Sequence, residues 1–200
     1  GTGALAMTSG TTLQSGAASL TLANAIGITG TGTVDTNGNI VTYASAFTSA
    51  GTLVKADSGT LILGAANNLS GALNVTGGSV RLTDAGALGT AAVTVGTGSI
   101  LDLNSLNATG ASIVLDGGTL QRTTGYTGTV TFTAATLDNA ALSLAGTAKV
   151  GVLAGQTAAI NGETRDIELN GGTVTGLSNF TGTLIVKSTL DAAAGTPPIT

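Results

Sequence analysis

Leu53, Leu73, Val93 and Ile113 follow one another at intervals of twenty residues, and a chain that repeats its apolar positions in this way has few folds open to it. A second series, Val80, Ile100 and Leu120, keeps the same interval seven residues further on, and Leu61 joins it nineteen residues before Val80. A weaker third series links Leu69 to Leu88 in the connecting segments. Gly77-Gly78, Gly96-Thr97-Gly98 and Gly117-Gly118 mark the gaps between the first two series. Self-similarity at a period of about 20–50 residues signals stacked units, none of which can bury its apolar face alone.

Within each interval the pattern is that of strands. Ser19-Leu20-Thr21-Leu22, Ala72-Leu73-Asn74-Val75, Ser79-Val80-Arg81-Leu82 and Ala92-Val93-Thr94-Val95 alternate apolar and polar residues. So do Ile113-Val114-Leu115, Thr129-Val130-Thr131-Phe132, Ala141-Leu142-Ser143-Leu144 and Thr183-Leu184-Ile185-Val186. Alternation at period two is the strand signal, and threonine on the polar side favours it through β-branching. The alanine-rich pieces are too short and too interrupted by glycine to nucleate helices. The chain is therefore expected to be all-β.

A strand rises about 3.3 Å per residue, so a coil of about twenty residues with three short strands closes one turn around a narrow core. Successive coils stack at about 4.8 Å through parallel hydrogen bonding, and their inward residues form ladders such as Leu53 over Leu73 over Val93 over Ile113. The expected fold is a right-handed parallel β-helix, a β-solenoid with coils of about 20 residues; ten coils would make a rod on the order of 50 Å long. Outward threonines can ladder on one another. An antiparallel sandwich also has frequent short strands, but its core calls for larger side chains than a chain with three Phe and two Tyr supplies. Nor does a sandwich have reason to repeat every twenty residues. One register is ambiguous: in Ser99-Ile100-Leu101-Asp102-Leu103, either Ile100 or the pair Leu101 and Leu103 faces inward. The pair is the better apolar couple, which predicts a one-residue bulge.

Residues 1–190 are expected to form a single solenoid segment. Beyond residue 123 the interval drifts, although Val130, Leu142 and Val150 keep strand character. Residues 154–166 lack alternation and read as a longer loop or irregular coil, after which strands resume at Ile167-Glu168-Leu169 and Thr173-Val174. Residues 191–200, with Pro197 and Pro198, read as a linker or frayed end. The start Gly1-Thr2-Gly3 has no signal segment, so the chain is expected to be a processed protein or a piece of a longer one.

Composition removes several chemistries. Thr (37), Gly (32) and Ala (31) make up half of the 200 residues. There is no His and no Cys, hence no Cys/His zinc site, cysteine nucleophile, histidine base or disulfide framework. Six Lys+Arg against ten Asp+Glu give a net charge of −4 and no basic stripe for nucleic acid. The longest apolar runs, such as Leu61-Ile62-Leu63, are three or four residues, far short of the ~20 a membrane helix needs. With 42% hydrophobic and 8% charged residues the chain is also unlike a disordered one.

The stretch Gly51–Leu103 carries a family likeness. Gly51-Thr52-Leu53-Val54-Lys55, Ser58-Gly59-Thr60-Leu61-Ile62-Leu63-Gly64 and Asn67-Asn68-Leu69-Ser70-Gly71-Ala72-Leu73-Asn74-Val75 are followed by Gly77-Gly78-Ser79-Val80-Arg81-Leu82. Then come Ala87-Leu88-Gly89-Thr90-Ala91-Ala92-Val93-Thr94-Val95 and Ser99-Ile100-Leu101-Asp102-Leu103. Together they resemble the passenger-associated repeat of bacterial autotransporters over about a quarter of the chain. The resemblance implies a β-helical passenger segment, secreted or displayed at the bacterial cell surface; the C-terminal membrane barrel of a complete autotransporter is not in this sequence.

Some parallel β-helices cleave polysaccharides, and an acid–base pair for that chemistry needs two acids about 5–10 Å apart. Asp84, Asp102 and Asp116 lie within two coils, and Glu163, Asp166 and Glu168 cluster with Arg165. The expected roles are turn caps for the first group and a solvated loop for the second. Tyr43 and Tyr126, the only tyrosines, are too far apart in sequence to make a sugar-stacking platform. Repeated Gly-Gly-x-Gly-x-Asp calcium motifs are absent, and the glycine triplets lack the following helix and lysine of a phosphate loop. With an unslipped twenty-residue step Asp102 and Arg122 stack on adjacent coils as an exposed pair that helps hold register. No catalytic, cofactor-binding or metal-binding residue is assigned. The expected function is structural and non-catalytic: an extracellular adhesin or autotransporter stalk, or a self-assembling fibre subunit. Its expected partners are itself, end to end or laterally, or a host or matrix surface ligand. A carbohydrate-active enzyme or polysaccharide-binding module on the same fold is the alternative.

Overall fold

The computed structural model describes residues 3–122, 126, 128, 130–132, 137–138, 150–153, 157–159, 167–170, 173–175 and 184–186. The first coil runs through β1 (Leu5–Met7), β2 (Thr11–Gln14) and β3 (Ser19–Leu22). The second runs through β4 (Ile26–Ile28), β5 (Thr31–Asp35) and β6 (Ile40–Tyr43). The third has β7 (Phe47–Ser49), β8 (Thr52–Ala56) and β9 (Thr60–Leu63), and the fourth β10 (Asn68–Leu69), β11 (Ala72–Val75) and β12 (Ser79–Leu82). The fifth and sixth keep two strands each: β13 (Ala92–Gly96) and β14 (Ile100–Asp102), then β15 (Ser112–Asp116) and β16 (Thr119–Gln121). Beyond them lie β17 (Val130–Phe132), β18 (Leu137–Asp138), β19 (Val150–Leu153), β20 (Thr157–Ala159), β21 (Ile167–Asn170), β22 (Thr173–Thr175) and β23 (Leu184–Val186).

These strands stack into parallel sheets, and the fold is the parallel β-solenoid, all-β with turns of about twenty residues. Sheet A has the order β1-β4-β7-β10; sheet B runs through the described residues as β2-β5-β8-β11-β13-β15-β17-β19-β21-β23. Sheet C is β3-β6-β9-β12-β14-β16, and sheet D is β18-β20-β22. Ten strands at the interstrand spacing give sheet B a length of roughly 45 Å.

The aliphatic series are the inward ladders. Leu53, Leu73, Val93 and Ile113 are directly paired along sheet B, and all four are buried. On sheet C, Leu61 pairs with Val80 despite the nineteen-residue step. Val80 then pairs with Leu101 rather than Ile100, and Leu101 with Leu120. Leu101 and Leu103 are fully buried while Ile100 is half-buried. The expected bulge is not in the strand, whose ladder is unbroken. The extra residue lies in the corner, where 96–99 holds one residue more than 76–78, and it swings the stronger apolar pair onto the core face. Past Ile113 the register continues to Val130, Val150, Ile167 and Leu184, with steps of seventeen, twenty, seventeen and seventeen residues. These coils are shorter on average.

Tight corners separate the sheets. At Gly71, between sheets A and B, a Cβ would overlap the carbonyl oxygen of Gly51 in the coil before, so two backbones meet where no other residue fits. The expected strand at 141–144 and the linker at 191–200 lie outside the described residues. Of the irregular segment expected at 154–166, only Thr157–Ala159 is described, and it is the strand β20 of sheet D. No described helix is long and apolar enough to cross a membrane.

Candidate functional site

The three aspartates weighed as acids occupy three different places on the coil. Asp84 follows β12 and accepts a hydrogen bond from the Gly86 amide at 2.8 Å, so it caps a turn. Asp102 ends β14 on sheet C, and Asp116 ends β15 on sheet B. Glu163, Arg165 and Asp166 lie outside the described residues; the backbone of Glu168 pairs with Gly151 and Ile185 on sheet B. Among the described residues no three carboxylates gather in a group that could hold a metal ion.

Asp102 departs from expectation. Its side chain is 2% exposed, although its two partners are nearly half exposed. Arg81 Nε, stacked one coil before, donates to Oδ2 at 3.0 Å. Arg122, one coil after, donates from Nε to Oδ1 at 2.6 Å and from Nη2 to Oδ2. The Asn104 amide completes the set at 2.9 Å. The pair Asp102–Arg122 therefore exists, but as a buried carboxylate between two arginines and not as an exposed couple. The register explains it: Asp102 sits opposite Gln121, and Arg122, in the left-handed conformation (φ 51°), turns back toward the carboxylate. Burial alone would raise the Asp102 pKa; the hydrogen bonds from Arg122, Asn104 and Arg81 outweigh it and hold the carboxyl below its ordinary range.

Lys55 is the buried charge that sequence pattern did not single out. It takes a position in the second inward ladder of sheet B, Leu13–Val34–Lys55–Val75–Val95–Leu115, and is 0% exposed. Its stem packs as an aliphatic residue would, and its ammonium turns to the corner between sheets B and C. There Nζ donates to the carbonyls of Ala56 (2.9 Å) and Asp57 (2.7 Å) in its own coil and Gly77 (3.0 Å) in the next. Three protons meet three acceptors. Desolvation pushes the Lys55 pKa down to about 8, against the opposing pull of Asp57 and Asp35.

Asn67, also buried, is a third bridge between coils. Its Oδ1 accepts from the Phe47 amide at 2.7 Å, and its Nδ2 donates to the Ala87 carbonyl at 2.6 Å. The tyrosines are core residues and not sugar platforms. Tyr43 packs edge-on against Phe47 with ring centroids 4.8 Å apart, and the Tyr126 hydroxyl donates to the Ala111 carbonyl at 2.7 Å. Burial pushes both phenols up, Tyr126 to about 12. The signal for Lys55 was present in the chain, since it stands twenty residues before Val75 and twenty-one after Val34, but a lysine in such a column reads as a solvated side chain.

Comparison of the chain with protein-family models, with curated proteins and with solved structures returns no match.

Proposed function

We propose that this chain is a structural, non-catalytic spacer: a β-solenoid stalk segment of a secreted or surface-displayed bacterial protein, of the kind its autotransporter-like repeat implies. The observation that carries the reading is where the buried polar side chains are spent. Lys55, Asn67 and Asp102 each bond to a neighbouring coil. Functional polar groups are aimed at a ligand and held ready for it; the hydrogen bonds of these three side chains are met from within the stack. Such cross-links suit a rod that transmits position along its axis, with sheet B as its continuous element.

Two measurements test the proposal. Fractionation of the producing cell, with surface proteolysis, is expected to recover the protein outside the cytoplasm, and confinement to the cytosol would overturn the extracellular assignment. Incubation with acidic polysaccharides is expected to give no new reducing ends. Turnover that disappears when Asp84, Asp102 and Asp116 are replaced by Asn would establish an enzyme instead.

A further inference from the structure

The cluster on the outer face of sheet C holds more positive charge than a lock on register requires. Asp102 is one carboxylate between two guanidiniums, and its acceptor positions are filled. Oδ1 takes Arg122 Nε and the Asn104 amide, and Oδ2 takes Arg81 Nε and Arg122 Nη2. A guanidinium has five N–H donors. Arg81 commits one of them and Arg122 two, which leaves both Nη groups of Arg81 and Nη1 of Arg122 without an acceptor among the described residues. We propose that these two arginines form a binding site for an oxyanion, taking one sulfate, phosphate or carboxylate group from solvent.

The two guanidiniums are already assembled. Arg81 Nε and Arg122 Nη2 donate to the same oxygen, so these nitrogens stand within about 6 Å of each other. Like charges that close repel, and one carboxylate offsets one of them; a second anion offsets the other. Both arginines are nearly half exposed while the carboxylate is buried beneath them, so the surplus charge faces water. Their backbones are fixed as well. Arg81 lies within β12, and the Arg122 carbonyl accepts from the Ser105 amide at 2.8 Å. An arriving anion meets donors held in place, and a guanidinium edge matches the spacing of two oxyanion oxygens.

The rest of that face does not compete. Apart from Arg81 and Asp102, the outward positions of sheet C from β3 to β16 are Ser, Thr, Ile and Gln. Asp84, three residues beyond Arg81, is engaged with the Gly86 amide. The cations among the described residues are Lys55, Arg81 and Arg122, and Lys55 is sealed in the core. On a chain of net charge −4, the exposed positive charge of the described surface is gathered in this one cluster. Such a cluster suits a single anionic group and not the continuous phosphates of a nucleic acid.

NMR titration of the whole 200-residue chain with sodium sulfate, at an ionic strength held constant with sodium chloride, tests this. The expected result is a saturable shift of the Arg81 and Arg122 Nε–H resonances. Binding is expected to be roughly tenfold weaker in Arg81→Gln, which loses the charge and the free Nη donors. Gln121→Glu sets a second carboxylate opposite Asp102 and leaves both arginines in place; it is expected to weaken binding in the same sense. Should one variant fail to fold, the other decides. Absent or unsaturable shifts in the wild type, or an unchanged sulfate affinity in a folded variant, would overturn the proposal. Sulfated dextran in place of the free ion then assigns the source. Equal affinity per sulfate group points to a solute ion and a higher one to a group carried on a polymer, and either keeps the site.

Discussion

The first four coils and the two that follow close their third side differently. From β1 to β10 that side is sheet A, with Met7, Ile26, Ile28, Phe47 and Leu69 buried behind it. In the fifth and sixth coils the same side is built from turns. Ala87, Gly89 and Ala91 donate to residues three back, Asp84, Gly86 and Leu88, and Leu106 does the same to Leu103. Coil-to-coil bonds thin to contacts such as Thr90 N to Leu69 O and Ser112 N to Ala91 O. The wall is nevertheless dry, because Ala87, Leu88, Ala91, Ala108 and Ala111 are buried there. A solenoid face therefore needs an apolar lining, and strand geometry is one of two ways to present it.

The sharpest way to break this comparison is to cut one leucine from each kind of wall. Leu69→Ala on sheet A and Leu88→Ala in the turns are each expected to cost about 2–5 kcal/mol, measured by urea unfolding. A loss below about 1 kcal/mol for Leu88→Ala would mean that the turn-built wall is loose and the equivalence false. Comparable in size is the junction itself. Asn67→Ala strands the Phe47 amide and the Ala87 carbonyl, at about 1–3 kcal/mol for each buried group left unpaired, and is expected to speed hydrogen exchange at the Phe47 amide. Unchanged exchange would show that the two constructions meet without Asn67.

The smallest effects belong to sheet C, which both regions share. Arg81→Ala removes a partly exposed partner of Asp102 and is expected to cost about 0.2–1 kcal/mol. Asp102 itself sets an acid limit. Its pKa is lower folded than unfolded, so its contribution is present above the unfolded value of 3.8 and disappears as the pH falls through the folded one. Wild type is expected to lose stability in that range faster than Asp102→Asn. Parallel acid profiles would show that the carboxylate contributes little as an ion.

Sheets B and C were legible in the chain because most of their strands through the sixth coil hold four or five residues and leave room for alternation, and because an inward position repeated every coil must stay apolar. Sheet A was not. Its strands hold two or three residues, as in Asn68–Leu69, too few to show a period, and they include Gly27 and Ser49. Asp102 was linked to Arg122 through a twenty-residue stack, yet the register sets it opposite Gln121, and the ion pair forms because Arg122 turns back toward it. Tyr43 and Tyr126 turn inward, where each ring removes a large apolar area from water.

What the sequence determined by itself is the winding: apolar residues at a fixed interval can all be buried together only by stacking one coil on the next, and glycine permits the corners. What only the tertiary structure decided is the fate of the polar residues caught in that stack. Whether Lys55 is solvated or sealed depends on three carbonyls supplied by two coils. Their convergence is a matter of backbone position in space, and no spacing along the chain encodes it.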